Sequence, residues 1–364
     1  MTIKKVLLNI LMMIIAVAVA LVISELLIRA VKPVYDYRDR SLLFSSPVFK
    51  LYSGGAVRYQ PNERIREAAV YNGTIEYDVQ YTTNNMGFVD TINYGNNSQA
   101  GKNFYAFVGD SFTTGVNGGA PWVAKLRNNK LRAEVYNFGV AATGFEHFYK
   151  LMHEMKDKVR ITHIVIVAIT DDFFRGYWHP LMVNGNINFC SLSGSHQVCM
   201  PVPVASIMPL DAPEAELLEI SKTRYKEIRA RVNEINAANS LQAKLESLFY
   251  DDSALYYYAK LLHDTYKRSH QSGNIDNAIE MIRKIKSEYP LAEMHLIHLP
   301  QKYEVSTGNY HINIADQIKM TGVGYFPALE KCSWSVDMFF KRDAHPNKSG
   351  YENIEKCISE YLHF

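Results

Sequence analysis

Short apolar runs alternate with amphipathic helical segments from Phe104 onward, and this alternation limits the possible fold more than any other feature of the sequence. The runs Phe104 to Val108, Glu134 to Phe138, His163 to Ile169 and Met294 to Leu299 each have the length and apolar content of a strand. The third run is almost unbroken, as in strands that are buried on both faces of a parallel sheet. Strands that alternate with helices predict an α/β domain with a parallel sheet of about five strands.

Two further regions complete the expected organisation of the chain. Residues 32–100 are polar and rich in Tyr, Asn and Gly, and we interpret them as an approach segment with short strands. From about 190 to 290 the pattern becomes helical, and we interpret this stretch as a helical insertion within one domain that spans residues 101–364.

A helix of the α/β region is expected to begin near Thr143, whose hydroxyl would form a capping box with Glu146.

The N-terminal residues form an apolar stretch. Lys4 and Lys5 precede an uncharged run from Val6 to Ser24. About 20 apolar residues match the thickness of a bilayer core, so residues 1–31 predict a transmembrane helix that anchors the protein. A cleaved signal peptide is the alternative, because small-x-small sequences lie between Ala16 and Ala20. The apolar sequence continues past those sites, which favours the uncleaved anchor.

Charge and cysteine usage exclude some classes of function. The net charge of +2 gives no long-range field that would attract nucleic acid, so we expect no nucleic-acid partner. The charges beside the anchor favour a cytoplasmic N-terminus at Lys4 and Lys5, although Arg29 and Lys32 on the other side weaken this bias. The four cysteines form no CxxC pair, which disfavours a zinc site, while two disulfides and free thiols both remain open.

A serine follows the first predicted strand, in the segment Gly109-Asp110-Ser111. A serine between a strand and a helix projects from the carboxyl edge of the sheet, where the first N–H groups of the helix stabilise an oxyanion. The same tripeptide also suits an ordinary turn and helix cap. Serine is a poor nucleophile without an adjacent base, so the catalytic interpretation requires a partner elsewhere in the chain.

The segment Asp343-Ala344-His345-Pro346 supplies a base of this kind before the last predicted helix. Asp343 is expected to orient one imidazole nitrogen of His345 while the other nitrogen faces Ser111. A solvated polar loop is the alternative interpretation of this segment. Because both segments occur in one α/β sequence, we predict a catalytic triad with Ser111 as nucleophile, His345 as general base and Asp343 as its orienting group.

Together these segments resemble the SGNH/GDSL hydrolase superfamily, in its membrane-anchored bacterial form. The serine block of the family looks like Gly109-Asp110-Ser111, its glycine block like Tyr136-Asn137-Phe138-Gly139-Val140, and its terminal block like Asp343-Ala344-His345-Pro346-Asn347. The segment from Thr83 to Asp90 is a looser match, in which Val89 replaces an arginine of the family pattern.

The resemblance implies a three-layer α/β/α fold of the SGNH/flavodoxin-like type and cleavage or transfer of acyl esters. It implies that the backbone N–H groups of Ser111 and Gly139 hold the oxyanion. It also implies a single-pass protein of the inner membrane whose catalytic domain faces the periplasm or the cell exterior. No cofactor is expected, since the sequence Gly115-Val116-Asn117-Gly118-Gly119 lacks the lysine of a phosphate-binding loop. No metal is expected either, because adjacent carboxylates such as Asp171 and Asp172 rarely chelate an ion together.

The asparagine block is where this chain departs from the family. Members carry Gly-x-Asn-Asp after the third strand, and the asparagine side chain donates to the oxyanion. Here Asp171 occupies that third oxyanion position, within Ala168-Ile169-Thr170-Asp171-Asp172. An ionised carboxylate repels an oxyanion, and the loss of one such donor typically costs about a hundred- to a thousandfold in rate. A protonated Asp171, or a shift of register that brings in Thr170, would restore a donor.

Three functions follow from this pattern as expectations. The first is a serine esterase that acts through an acyl-serine intermediate on acyl esters, with O-acyl groups of a cell-surface polysaccharide as a candidate substrate. The second is an O-acyltransferase that uses the same triad. The third is a non-catalytic envelope or glycan-binding protein with a degenerate site, which the departure at Asp171 favours.

Overall fold

Strands and helices alternate along the chain in the computed structural model. The described residues are 3–31, 40–46, 48–95, 102–118, 121–127, 133–176, 179–183, 186–193, 196–200, 205–238, 253, 255, 259 and 272–363. The strands in chain order are β1 (Arg40–Phe44), β2 (Phe49–Leu51), β3 (Val57–Tyr59), β4 (Arg64–Tyr71), β5 (Thr74–Thr82), β6 (Asn103–Gly109), β7 (Ala133–Gly139), β8 (His163–Ile169), β9 (His179–Val183), β10 (Asn186–Ser193), β11 (His196–Cys199), β12 (Ala205–Ile207), β13 (Glu293–Leu299) and β14 (Gly324–Pro327). The helices are α1 (Ile3–Val31), α2 (Ser111–Thr114), α3 (Trp122–Leu126), α4 (Phe145–Met155), α5 (Glu214–Ala238), α6 (Ser272–Glu288), α7 (Lys302–Thr307), α8 (Ala315–Met320), α9 (Ala328–Lys331) and α10 (Lys348–Tyr361).

A five-stranded parallel sheet forms the centre of the domain. Its order is β14-β13-β8-β6-β7, and every neighbouring pair is parallel. The predicted parallel sheet is therefore confirmed, and the sequence pattern predicts β6, β7, β8 and β13 to within one residue at either end. It does not predict β14, because the four residues of this strand are only partly buried and form no apolar run.

Strand β8 shows why the central sheet is buried on both faces. Successive side chains of a strand point to opposite faces, and in β8 every residue from Ile164 to Ile169 is buried. One set of these side chains packs in a hydrophobic cluster with α4 and α6. The alternate set packs in a second cluster with α3 and α10. Burial of both faces explains the nearly continuous apolar sequence of this strand.

A second sheet joins strands from two distant parts of the chain. Its order is β11-β10-β12-β1-β4-β5, with β9 paired to β10. Strands β1 and β12 are parallel, and the other pairs are antiparallel. The interval predicted as helical from about residue 190 therefore begins with strands, and its first helix starts at Glu214. The alternation of polar and apolar residues from Asn186 to Phe189 is the strand signal there. Much of the remaining insertion lies outside the described residues.

Helix α4 begins without the expected side-chain cap. Its N-cap residue is Gly144, and the hydroxyl of Thr143 donates to the carbonyl of Val140 at 2.6 Å. The predicted capping box between Thr143 and Glu146 is therefore wrong, although the helix itself is present. A Cβ atom at Gly144 would lie 2.9 Å from Cβ of Arg175, so glycine occupies the cap position because Arg175 packs against it.

The N-terminal helix α1 is apolar along most of its length. Within it, the 23 residues Leu8–Ala30 have a mean hydropathy of 2.8 and are not buried inside the structure. A helix of that length extends roughly 34 Å, which is enough to cross a bilayer core. Glu25 near its end pairs with Arg29 and also accepts a hydrogen bond from the hydroxyl of Ser253 at 3.0 Å. By length and composition the helix suits a membrane span or a signal peptide.

Both pairs of cysteines form disulfides. Cys190 and Cys199 lie directly opposite each other in the antiparallel strands β10 and β11. Cys332 follows α9, and its bond to Cys357 attaches this segment to α10. The choice between free thiols and bridges, which the sequence leaves open, is thus resolved in favour of two bridges.

Loss of the Cys332–Cys357 bond is expected to lower the free energy of unfolding by about 3 kcal/mol, because a disulfide removes conformational entropy from the unfolded chain. Urea titration of the full-length Cys332→Ala/Cys357→Ala variant in detergent, followed by tryptophan fluorescence, measures this loss. The matched control is Cys190→Ala/Cys199→Ala, whose partners are 9 rather than 25 residues apart and whose loss is expected to be smaller. Equal losses would contradict this dependence on loop length.

Candidate active site

Ser111 lies at the carboxyl end of β6, the strand beside β8 in the middle of the central sheet. The strand ends at Gly109, and Ser111 is the first residue of α2. Asp110 caps this helix, since its Oδ1 accepts the N–H of Phe112 at 2.8 Å. A Cβ atom at Gly109 would lie 2.2 Å from the carbonyl oxygen of Val167 in β8. In the Gly-Asp-Ser sequence, the glycine therefore permits close strand packing, the aspartate caps the helix, and the serine is the first helical residue and lines a cavity.

His345 and Asp343 approach Ser111 from the loop before α10. The distance between Ser111 Oγ and His345 Nε2 is 2.8 Å, and His345 Nδ1 is hydrogen-bonded to Asp343 Oδ1. Because an ionised carboxylate only accepts hydrogen bonds, Nδ1 carries the ring proton and Nε2 accepts from the serine hydroxyl. Asp343 Oδ1 also accepts the backbone N–H of His345 at 2.9 Å. The three residues singled out from the sequence thus form one continuous hydrogen-bonded chain.

The second sheet holds the carboxylate of Asp343 in place. The hydroxyl of Tyr71, the last residue of β4, donates to Asp343 Oδ2 at 2.7 Å. The guanidinium of Arg40, the first residue of β1, lies 3.7 Å from the same oxygen. Asp343 is almost fully buried, so the hydrogen bond from Tyr71 and the ion pair with Arg40 replace the water that its charge would otherwise require. The sequence shows no sign of them, because Tyr71 and Asp343 are 272 residues apart.

Burial and the neighbouring charges shift the pKa values of Asp343 and His345 in opposite directions. Burial alone would raise the pKa of Asp343, but His345, Arg40 and Tyr71 stabilise the carboxylate and hold its pKa well below the usual range. Burial alone would lower the pKa of His345, but the carboxylate of Asp343 stabilises the imidazolium and raises the pKa above its ordinary value of 6.5. The pair therefore combines a carboxyl group that favours its ionised form with an imidazole that is more basic than usual.

The Asp343→Asn substitution tests this pairing. His345 accepts the serine proton only when it is neutral, so activity should rise with pH through a pKa above 6.5. Without the carboxylate that pKa falls, and the acid limb of the kcat/KM profile is expected to move to lower pH. We also expect kcat to drop about 10⁴-fold, because an amide does not enforce the productive tautomer. Rates on a nitrophenyl ester from about pH 5 to pH 9 measure both effects. An unmoved acid limb would refute the pairing.

The Tyr71→Phe substitution is expected to move the acid limb of the kcat/KM profile to higher pH. It removes the donor to Asp343 Oδ2, so the carboxylate attracts the imidazolium proton of His345 more strongly and raises its pKa. A hydrogen bond to a charged group contributes about 1.5–3 kcal/mol, so kcat/KM at neutral pH should fall about tenfold or more. Tyr303→Phe, at an exposed tyrosine of α7, is the control. A shift to lower pH in Tyr71→Phe would contradict its role as a donor.

A cavity of about 390 Å³ opens beside Ser111 and His345. Strands of the second sheet, the β6–α2 junction and α5 contribute to its walls. Its larger apolar side chains are Leu42, Phe44, Phe49, Val116, Ile187, Phe189 and Ile228. A cavity of this size and lining accommodates a small organic group, such as a short acyl chain, next to the serine hydroxyl.

Glu67 lines the cavity from strand β4. Its oxygens accept hydrogen bonds from the hydroxyls of Tyr77 and Tyr81, each at 3.0 Å, and from Nδ2 of Asn117 at 3.2 Å. Burial raises the pKa of Glu67, and the two tyrosine donors only partly oppose this effect. The carboxyl group therefore joins β4, β5 and the turn after α2 into a fixed cavity wall.

The N–H of Gly139, the oxyanion donor expected from the resemblance, is engaged elsewhere. It donates to Oδ1 of Asn137 at 3.0 Å, and a Cβ atom at this position would lie 2.3 Å from the backbone nitrogen of Thr114. Gly139 thus permits α2 to pack against β7. The N–H of Ser111, the other expected donor, makes no hydrogen bond to a residue that the structure describes.

Ala142 provides a second free N–H at the cavity. It lines the cavity with Ser111, and its N–H also lacks a hydrogen-bond partner among the described residues. Its φ of +63° is unusual for alanine, because the Cβ atom makes this region unfavourable by about 1 kcal/mol. A glycine at this position would have indicated a left-handed turn, whereas an alanine gives no such signal in the sequence. Ala142 replaces Gly139 as the candidate backbone donor.

Asp171 does not line the cavity, in contrast to the expectation for the third oxyanion position. It is half-buried in the turn Thr170–Phe173 that follows β8. Thr170, the alternative in a shifted register, donates to Glu304 at 2.5 Å and bonds His298 Nε2 at 3.0 Å, so its hydroxyl is also engaged. Burial raises the pKa of the neighbouring Asp172, and its ion pair with Arg175 opposes this effect. Neither Asp171 nor Thr170 lines the cavity beside Ser111.

The structure brings together Ser111, His345 and Asp343 as predicted from the sequence. The N–H of Ser111 stays a candidate oxyanion donor, whereas the N–H of Gly139 is hydrogen-bonded to Asn137 and Asp171 does not line the cavity. Arg175 is a further lining residue that the sequence pattern does not single out. No protein-family model matches the chain, and a search of curated proteins finds no match to its sequence.

Proposed function

We propose that the protein cleaves or transfers acyl esters through a covalent acyl-serine at Ser111. The observation that carries this proposal is the hydrogen-bonded chain from Ser111 through His345 to Asp343, which opens into a cavity of acyl-group size. A serine hydroxyl, an imidazole in the correct tautomer and a buried carboxylate are the parts that nucleophilic acyl transfer requires.

The proposed reaction has two halves that use the same groups. Ser111 Oγ attacks the ester carbonyl carbon while His345 Nε2 takes its proton, and Asp343 stabilises the imidazolium. The tetrahedral intermediate collapses to an acyl-serine as His345 returns the proton to the departing alkoxide oxygen. The hydroxyl of water or of an acceptor molecule then attacks the acyl carbon and gives its proton to His345. The bond between the acyl carbon and Ser111 Oγ breaks, His345 returns the proton to Ser111 Oγ, and the acid or the new ester leaves.

The order of the central sheet supports an SGNH/GDSL-type domain with a three-layer α/β/α arrangement. Numbered by their order in the chain, the five strands lie in the sequence 2-1-3-4-5, as in flavodoxin-like folds. In such sheets the functional residues gather at the carboxyl ends of the strands, and Ser111 follows the first strand. This position is the one that the sequence resemblance assigns to the nucleophile.

The acceptor hydroxyl decides between two versions of the reaction. Water gives an esterase, and a sugar hydroxyl gives an O-acyltransferase. A single apolar N-terminal helix and two disulfides suit a domain that is held at the inner membrane and faces an oxidising periplasm or the cell exterior. Acyl groups on a cell-surface polysaccharide are therefore the substrate class that we propose. A purely binding role remains the alternative, but repulsion of an oxyanion by Asp171 does not support it, because Asp171 does not line the cavity.

Loss of the nucleophile tests the proposal. We expect full-length protein in detergent to hydrolyse nitrophenyl acetate, and Ser111→Ala to reduce kcat/KM at least about 10³-fold. Ser287→Ala, at an exposed serine of α6, is the matched control and should retain the wild-type rate. Equal rates in wild type and Ser111→Ala would refute the acyl-serine.

A further inference from the structure

The guanidinium of Arg175 lies in the cavity beside the nucleophile. Arg175 lines the cavity with Ser111 and His345. Its Nη1 is 2.8 Å from Oδ2 of Asp110, and the hydroxyl of Ser111 lies 3.5 Å from that same oxygen. The positive charge and the attacking oxygen are therefore neighbours around a single carboxylate oxygen.

Arg175 is held so that only one of its terminal nitrogens is engaged. Nη1 donates to Asp110, to Asp172 and to the carbonyl of Thr143 at 3.0 Å. No hydrogen bond joins its Nη2 or Nε to another residue within the described part of the chain. The absence of a side chain at Gly144 leaves the space in which the stem of Arg175 packs. The guanidinium is thus oriented by three acceptors and keeps further N–H groups for a ligand.

The electrostatic surroundings keep Arg175 charged. Burial would lower its pKa, but Asp172 and Asp110 raise it above the ordinary value for arginine. These two carboxylates also offset the cost of placing a cation in a partly buried site before substrate binds. A hydrogen bond from a charged donor to an anion is roughly twice as strong as one between neutral groups. A fixed guanidinium is therefore suited to an oxygen on which negative charge develops.

We propose that Arg175 donates to the oxyanion of the tetrahedral intermediate, together with the backbone N–H groups of Ser111 and Ala142. It supplies the side-chain donor that Asp171, four residues earlier, does not provide. This inference rests on the proposed acyl transfer at Ser111. It makes Arg175 a catalytic residue, because its donor contacts the reacting oxygen.

The Arg175→Gln and Arg175→Lys variants test the proposal with nitrophenyl acetate, a neutral ester, in the full-length protein. For Arg175→Gln we expect kcat to fall about 10²- to 10³-fold with KM changed by less than about twofold, because the donor acts in the transition state. Arg175→Lys keeps the charge, and its kcat is expected to be about tenfold higher than that of Arg175→Gln. Arg283→Gln, at an exposed arginine of α6, is the matched control and should behave as wild type.

Chemical rescue separates a donor from a purely structural group. Addition of methylguanidinium to Arg175→Ala is expected to raise kcat at least about tenfold while leaving the control variant unchanged. Unchanged kcat in Arg175→Gln, or a loss without rescue that parallels a lower melting temperature, would overturn the proposal. A rise in KM confined to a carboxylate-bearing ester would instead make Arg175 a binding site for substrate charge, and would also overturn it. If the proposed acyl-serine itself is wrong, the wild-type protein and Ser111→Ala will hydrolyse the ester at the same rate.

Discussion

The buried carboxylate of Asp343 is the group on which the arrangement of the site depends. An unpaired carboxylate at this depth would cost several kcal/mol, so the fold must surround it with partners. His345 provides one, and Tyr71 and Arg40 provide the others from the second sheet. The second sheet is therefore part of the site, because its strands β1 and β4 hold the carboxylate that is hydrogen-bonded to His345, which in turn contacts Ser111.

The need of buried charges for partners also explains why both sheets contribute to the site. The central parallel sheet places Ser111 at its carboxyl edge, and the second sheet supplies a cavity wall through β1, β4 and β10. Glu67 and its tyrosine donors fix that wall, while the Cys190–Cys199 bond joins the strands at its far end. On the other side of the serine, Arg175 is fixed by two carboxylates. Charged groups near the nucleophile are thus each held by an opposite charge or by several donors.

The central sheet and the triad were predictable from the sequence because their signals are local. A nearly continuous apolar run identifies β8, and a serine after a strand or a histidine two residues after an aspartate is visible without a structure. Tyr71 and Ala142 were not predictable, for different physical reasons. Tyr71 donates a hydrogen bond to a residue 272 positions away. Ala142 adopts a left-handed backbone conformation, which an alanine in the sequence does not indicate. The prediction of a helical region from about residue 190 is wrong for the strands around Cys190, because their alternation of polar and apolar residues is short.

Covalent labelling of the serine tests the central claim most directly. Full-length protein in detergent would be treated with a fluorophosphonate, which forms a stable phosphonyl ester with an activated serine as fluoride departs, and then analysed by peptide mass spectrometry. We expect one phosphonyl group per chain, on Ser111, with no adduct in Ser111→Ala and much slower labelling in His345→Ala. An unlabelled wild-type protein, or an equal adduct in Ser111→Ala, would contradict an activated nucleophile at this position.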